Sequence, residues 1–143
     1  STPLYSSAAS DVYKRQREGT DVTIVSFGKI IKEAYAAADT LAKEGISCEV
    51  IDLRTVRPLD INTILESVKK TNRLVILEEA WPFGNVSTEI TYQVQEKAFD
   101  FLDAPIIKIN TADTPAPYSP NLLKEWLPNS DDVVKAVRKV LYK

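Results

Sequence analysis

Apolar residues in this chain follow two alternating rhythms. The short runs Val22 to Phe27, Cys48 to Leu53 and Leu74 to Leu77 alternate with stretches in which apolar residues recur every three or four positions. The first kind suits strands and the second suits helices. Leu74, Val75, Ile76 and Leu77 have no polar interruption, which predicts a strand covered on both faces in the middle of a parallel sheet. Glu78 and Glu79 are expected to end that burial. The segment Trp81-Pro82-Phe83-Gly84-Asn85 must turn, because proline removes a ladder donor and glycine loosens the backbone. Val86, Ile90, Val94 and Ala98 then return at four-residue spacing and predict a helix with one apolar stripe.

The same rhythm extends both ways. Ile30, Ile31, Ala34, Ala37, Ala38 and Leu41 predict a helix with Lys32, Glu33, Asp39 and Lys43 turned outward. Gly45 is placed to end it in the left-handed conformation, with Ile46 making the hydrophobic contact. The turn Arg54 to Asp60 reads either as an arginine loop for an anion or as a salt-bridged turn that fixes the next helix start, and the second reading is preferred. Asp60 would cap a helix with Ile61, Ile64, Leu65 and Val68 inward, and Lys69 and Lys70 suit its carboxyl end. Pro105 to Thr111 predicts a fourth parallel strand. A proline-rich loop follows, then a short helix around Leu122 to Trp126. Ser130 with Asp131 and Asp132 behind it marks the start of a last helix whose apolar face is Val133, Val134, Val137, Val140 and Leu141. Strand and helix alternate throughout, so the expected fold is α/β, a sheet between two helical layers. Residues 1–18 lack this periodicity and read as an atypical segment, a linker or non-native sequence, ahead of a domain at 19–143. Val12 and Tyr13 could still form a short edge strand.

Composition narrows the function. At 143 residues the chain suits one domain that buries about two thirds of its unfolded surface. With 44% apolar residues, 27% charged residues and a formal charge of -2, neither disorder nor a nucleic-acid partner is suggested. No apolar run approaches the roughly 20 residues that span a bilayer, and no signal-peptide core precedes the first charged residues. A soluble, cytoplasmic protein with no membrane partner is expected. The single cysteine, Cys48, excludes an internal disulfide, fits a reducing compartment and reads as a small core residue.

There is no histidine, so Ser-His or Cys-His activation, an imidazole base and imidazole metal ligands are all missing, and a zinc site is not expected. In an open parallel sheet, ligands bind beyond the carboxyl ends of the strands. The loop after Leu77 lies there, but Gly84 alone is no phosphate cradle. Trp81 and Phe83 read as anchors at a packing surface. An autonomous enzyme is disfavoured.

Four blocks, GTDVTIVSFG, KEGISCEVIDLRTVRPLD, ESVKKTNRLVILEEAWPFG and FDFLDAPIIKINTADTPAPY, occur in this order between Gly19 and Lys143. In these blocks the chain resembles the carboxyl-terminal domain of the pyruvate dehydrogenase decarboxylase component's beta subunit, within the transketolase-like family. The resemblance implies a mostly parallel five-stranded sheet in a three-layer α/β/α fold, with one antiparallel edge strand supplied by the entering segment. That segment departs here from the family pattern. It also implies that the full enzyme uses thiamine diphosphate and magnesium to decarboxylate a 2-oxo acid and acetylate a lipoyl group, with the cofactor held between the alpha subunit and a preceding domain. This chain would then bind no cofactor and be inactive alone.

Its implied role is assembly: pairing with a second beta subunit, bracing the alpha subunit and docking the basic subunit-binding domain of the dihydrolipoyl acyltransferase. The resemblance puts Asp103 and the terminal carboxylate at Lys143 in that docking site, and Trp81 and Phe83 near subunit contacts. Asp103 could instead merely cap the turn into the Pro105 strand. Two other functions compete. One is the carboxyl-terminal domain of another relative, such as transketolase or deoxyxylulose-phosphate synthase. The other is a regulatory module binding a small anion at the strand ends. The LDAP block favours docking over the former, and the lack of a glycine-rich loop counts against the latter.

Overall fold

The computed structural model describes residues 15–54 and 56–143. Strands β1 (Arg15–Arg17), β2 (Val22–Ser26), β3 (Cys48–Asp52), β4 (Leu74–Leu77) and β5 (Ile107–Ile109) form a five-stranded sheet in the order β1-β3-β2-β4-β5. β2 to β5 run parallel. β1 pairs antiparallel with β3 in an irregular register, Arg15 opposite Ile51 and Arg17 opposite Val50. The entering segment therefore supplies the edge strand, and it does so within the stretch set apart as 1–18. Val12 and Tyr13 lie outside the described residues.

Helices α1 (Ile31–Ala42) and α5 (Ser130–Val140) cover one face of the sheet, and α2 (Ile61–Thr71) and α3 (Val86–Ala98) cover the other; α4 (Pro120–Trp126) lies between β5 and α5 in the chain. Strand residues point alternately to the two faces. Ile24, Val50, Val75 and Leu77 meet Ala34, Leu41, Val133 and Val137, whereas Val25, Ile51, Leu74 and Ile76 meet Ile64, Val68, Ile90 and Val94. Leu74 to Leu77 are all fully buried, which is why this run carries no polar position.

The helix ends follow the sequence signals with one shift. Gly45 (φ 80) turns the chain after α1, and its amide and that of Ile46 bond back to Ala42 and Leu41. Asp60 caps α2 by accepting from Thr63 N at 3.3 Å. At α5 the cap is Asn129, in a reciprocal box with Asp132, and not Ser130, whose amide bonds instead to Glu33. Arg54 pairs with Asp52 at 2.9 Å, so the arginine turn is salt-bridged, but to the end of β3 and not to Asp60. Cys48 is buried, and burial pushes its thiol up to about 11, which fits a core residue.

One core feature is polar. Glu49 of β3 is fully buried, among Ile51 and the apolar side chains of α2. Its carboxylate accepts from Gly19 N at 3.2 Å, from Ser67 Oγ and from Lys70 Nζ. Behind Ser67 lie Thr23 Oγ1 at 2.6 Å and, 2.7 Å beyond it, Thr71 Oγ1. Each hydroxyl has a single proton to give. Ser67 gives its proton to Glu49, so Thr23 donates to Ser67, while Thr71 shares its one proton between Thr23 and Arg73 O at 3.1 Å. The chain of donors ends on an ionised carboxylate. Burial is the largest influence on Glu49 and works against its charge, but the bonds from Lys70, Ser67 and Gly19 outweigh it and hold the carboxyl below its ordinary range.

Two stability predictions follow from this site. Glu49→Gln should destabilise the fold by about 1 to 3 kcal/mol at pH 7. Because the folded pKa is depressed, the stabilisation by charge is present above the unfolded value and is lost as pH falls through the folded one. Urea unfolding at pH 7 and pH 3 should therefore show the gap between wild type and variant closing in acid. Gly19→Ala should also destabilise, because the added Cβ would lie 2.2 Å from Cys48 C and 2.4 Å from Glu49 N. The expected cost is about 1 to 3 kcal/mol, read from the same unfolding curves.

Candidate functional site

The residues singled out by sequence fall at opposite ends of the sheet. β4 opens into the Trp81 loop at the carboxyl ends of the strands, whereas Asp103 precedes β5 and lies at their amino ends. α3 runs between the two ends, and its thirteen residues make it about 20 Å long.

At the carboxyl end, the expectation that both glutamates leave the core holds for Glu79 alone. Glu78 is buried. Its carboxylate accepts from Ser87 N at 3.2 Å, Ser87 Oγ at 2.8 Å and Asn110 Nδ2 at 2.9 Å. Asn85 caps the same helix start through Thr88 N. The positive end of α3, where an anion would otherwise bind, is therefore already filled by a carboxylate of the chain. Two further polar atoms there, the amide donor Asn85 Nδ2 and the amide acceptor Asn110 Oδ1, are buried and without a hydrogen-bond partner among the described residues. Among the described residues no group of three or more His, Cys, Asp or Glu could hold a metal ion.

The loop itself is held by its backbone. Lys108 Nζ donates to Pro82 O and Thr88 Oγ1, each at 2.8 Å, and Thr111 N bonds to Ala80 O at 3.0 Å. The side chains of Trp81 and Phe83 are thereby left outward, 51% and 91% exposed. Beyond β5 a groove of about 360 Å³ runs between Pro115, Leu122 and Trp126, and Trp126 Nε1 fixes the proline-rich loop by donating to Thr114 O at 2.9 Å.

At the amino end, α2 stops at Asn72, which takes the left-handed conformation (φ 65) tolerated best by glycine and asparagine. Asn72 O accepts from Asp103 N at 2.8 Å, and Asn72 Nδ2 donates to Phe101 O at 2.8 Å. The turn before β5 is thus made by the Asp103 backbone. The Asp103 side chain does not cap it. It points outward, 56% exposed, with Arg73 Nη2 3.8 Å away. Arg73 Nε also donates to Val140 O at 3.1 Å.

The chain then folds back over this turn. Tyr142 sits at φ 58, a conformation costing about 1 to 2 kcal/mol for a residue other than glycine. Its amide and that of Lys143 close α5 on Lys139 O and Arg138 O, and its hydroxyl reaches Asp103 O at 3.3 Å. Asp103 and Tyr142 border a depression of about 450 Å³ floored by Phe99, Leu102, Pro105 and Ile106. Of the two residues predicted for partner binding, Asp103 lies at this depression, and Lys143 follows directly on Tyr142, which meets it. Arg73 and Tyr142 were not legible as neighbours of Asp103: nothing near Tyr142 signals a left-handed turn, and Arg73 reads as an ordinary polar position before a strand.

The profile of the transketolase C-terminal domain matches residues 11–133. The chain is 54% identical over 126 residues to the pyruvate dehydrogenase E1 component subunit beta of Rickettsia felis, covering 88% of this chain and 39% of that protein. It is 49% identical over 130 residues to the mitochondrial subunit beta-2 of Oryza sativa subsp. japonica, covering 91% of this chain and 35% of that one. The chain thus spans well under half the length of these relatives. Among solved structures, an inactive beta4 tetramer of a split gene transketolase superposes with a TM-score of 0.81 at 30% identity, over 91% of this chain and 42% of the other. A 2-oxoglutarate:ferredoxin oxidoreductase from Magnetococcus marinus shares the fold alone, at 11% identity and a TM-score of 0.60 over 90% of this chain and 19% of that one. These matches agree with the four sequence blocks and with the parallel sheet. The chain belongs to the transketolase C-terminal domain family.

Proposed function

We propose that this chain is the assembly and docking domain of the beta subunit of a thiamine-diphosphate-dependent pyruvate dehydrogenase and carries no catalytic group of its own. The observation that carries this reading is the exposed Asp103 carboxylate at the rim of an apolar depression, a pattern suited to an apolar side chain flanked by an arginine or lysine. Identity of 54% to a pyruvate dehydrogenase subunit beta, against 30% to a split gene transketolase, favours this enzyme over the other transketolase relatives. The domain boundary at Gly19 belongs to the same reading, with β1 as the strand that ties the preceding chain to the sheet.

In this reading the partners are an alpha subunit, a second beta subunit and the subunit-binding domain of the dihydrolipoyl acyltransferase. Thiamine diphosphate and magnesium are bound elsewhere in the assembly. The support is electrostatic: Glu78 occupies the helix start that a diphosphate would use. The reading carries a cytoplasmic location. Among the described residues no helix is long and apolar enough to cross a membrane.

Two tests separate the two ends of the sheet. Asp103→Ala in the two-domain subunit should weaken binding of the isolated subunit-binding domain by about 1 to 3 kcal/mol, mostly through faster dissociation. Titration calorimetry would measure this, and equal affinities with unchanged folding would remove Asp103 from the site. Trp81→Ser with Phe83→Ser should leave thermal stability within about 1 kcal/mol, because both side chains are exposed, while reducing assembly with the alpha subunit. Native mass spectrometry showing undiminished assembly would contradict a subunit contact at that loop.

A further inference from the structure

We propose that Arg73 is the resident counter-ion of Asp103, an internal competitor that limits how tightly this surface takes a cationic partner. The inference rests on the docking reading and adds a residue to it. Arg73 is held from two sides: it follows directly on Asn72, whose backbone fixes the Asp103 turn, and its Nε is spent on Val140 O at 3.1 Å. Its side chain is 25% exposed, against 56% for Asp103. The arginine is therefore the anchored member of the pair and the aspartate the outward one.

The distance between them decides what the pair does. A charge-assisted nitrogen-to-oxygen bond closes to about 2.7 to 2.9 Å, and Arg73 Nη2 stands 3.8 Å from Asp103 Oδ2. The carboxylate is screened but keeps its bonding sites open. An incoming guanidinium or ammonium gains a full charge-assisted bond, yet it must approach a carboxylate that already has a cation 3.8 Å away. Arg73 therefore lowers affinity for any cationic partner and favours one whose geometry makes a close, directional bond over one attracted by charge alone. Its second contact, to Val140 O, holds the strand of backbone that leads to Tyr142, so that the same guanidinium keeps the rim of the depression together.

The test uses the two-domain beta subunit assembled with its alpha partner, as wild type, Arg73→Gln, Arg73→Lys, Asp103→Asn and the Arg73→Gln/Asp103→Asn double variant. Each is titrated with the isolated acyltransferase subunit-binding domain at two salt concentrations. For a pair this exposed the effect is modest. Arg73→Gln should tighten binding by about two- to fivefold and steepen its salt dependence. Arg73→Lys, which keeps the charge, should stay near wild type in both. In the Asp103→Asn background the gain from Arg73→Gln should shrink to the part that comes from removing a like charge. Weaker or unchanged binding by Arg73→Gln, or Arg73→Lys behaving like Arg73→Gln, overturns the counter-ion role while leaving docking at Asp103 in place. An Asp103→Asn variant that binds as wild type overturns the docking reading and the inference with it.

Discussion

A carboxylate removed from water is tolerated only where several donors replace the lost hydration, and at Glu49 those donors come from the entering chain and α2, with β2 joined behind them. Gly19 brings the entering chain, Ser67 and Lys70 bring α2, Thr23 joins β2 to them, and Thr71 returns the hydrogen-bond chain to α2. Apolar packing alone would let α2 slide along the sheet at small cost, since Ile64 and Val68 meet other branched side chains wherever they land. Directional bonds to one buried charge do not allow this. The register of α2 is set there, and the last turn of α2 leads straight into Asn72 and Arg73, which in turn fix Asp103 and Val140. The buried Glu49 carboxylate is thus linked through the last turn of α2 to the place where a surface carboxylate stands.

The two ends of the sheet put polar chemistry to different uses. At the carboxyl end, where parallel sheets usually bind ligands, Glu78 closes the start of α3 from within and the exposed groups include Trp81 and Phe83 beside Glu79. At the amino end a carboxylate and an apolar floor face outward, and a strained Tyr142 closes over them. Strain of this kind persists only where surrounding bonds over-determine it, and the bonds from Tyr142 and Lys143 back to α5, with the hydroxyl on Asp103 O, do so.

Much of the fold was legible because burial imposes periodicity. The apolar run at Leu74, the stripe from Ile90 to Ala98 and the Gly45 helix end are local signals, and each stands where it was expected. The buried acids were harder to read. Glu49 shares a strand face with Ile51 and Leu53, so alternation alone marks it as inward-facing, but its partner Lys70 is 21 positions away and no local pattern links them. Glu78 was read as the end of burial because its partners Ser87 and Asn110 meet it only after α3 and β5 are in place. For the proposed docking surface, the motif around Asp103 was visible, whereas Arg73 and Tyr142 lie beside it through backbone geometry that no side-chain pattern encodes.

The claim that links these observations is that the amino-terminal end of the sheet, and not the aromatic loop at the other end, meets the acyltransferase. Hydrogen exchange of the assembled enzyme with and without the isolated subunit-binding domain tests this directly. The account predicts new protection over residues 99–106 and 139–143, with residues 79–85 unchanged by that partner. Protection of residues 79–85 with no change around Asp103 would contradict it.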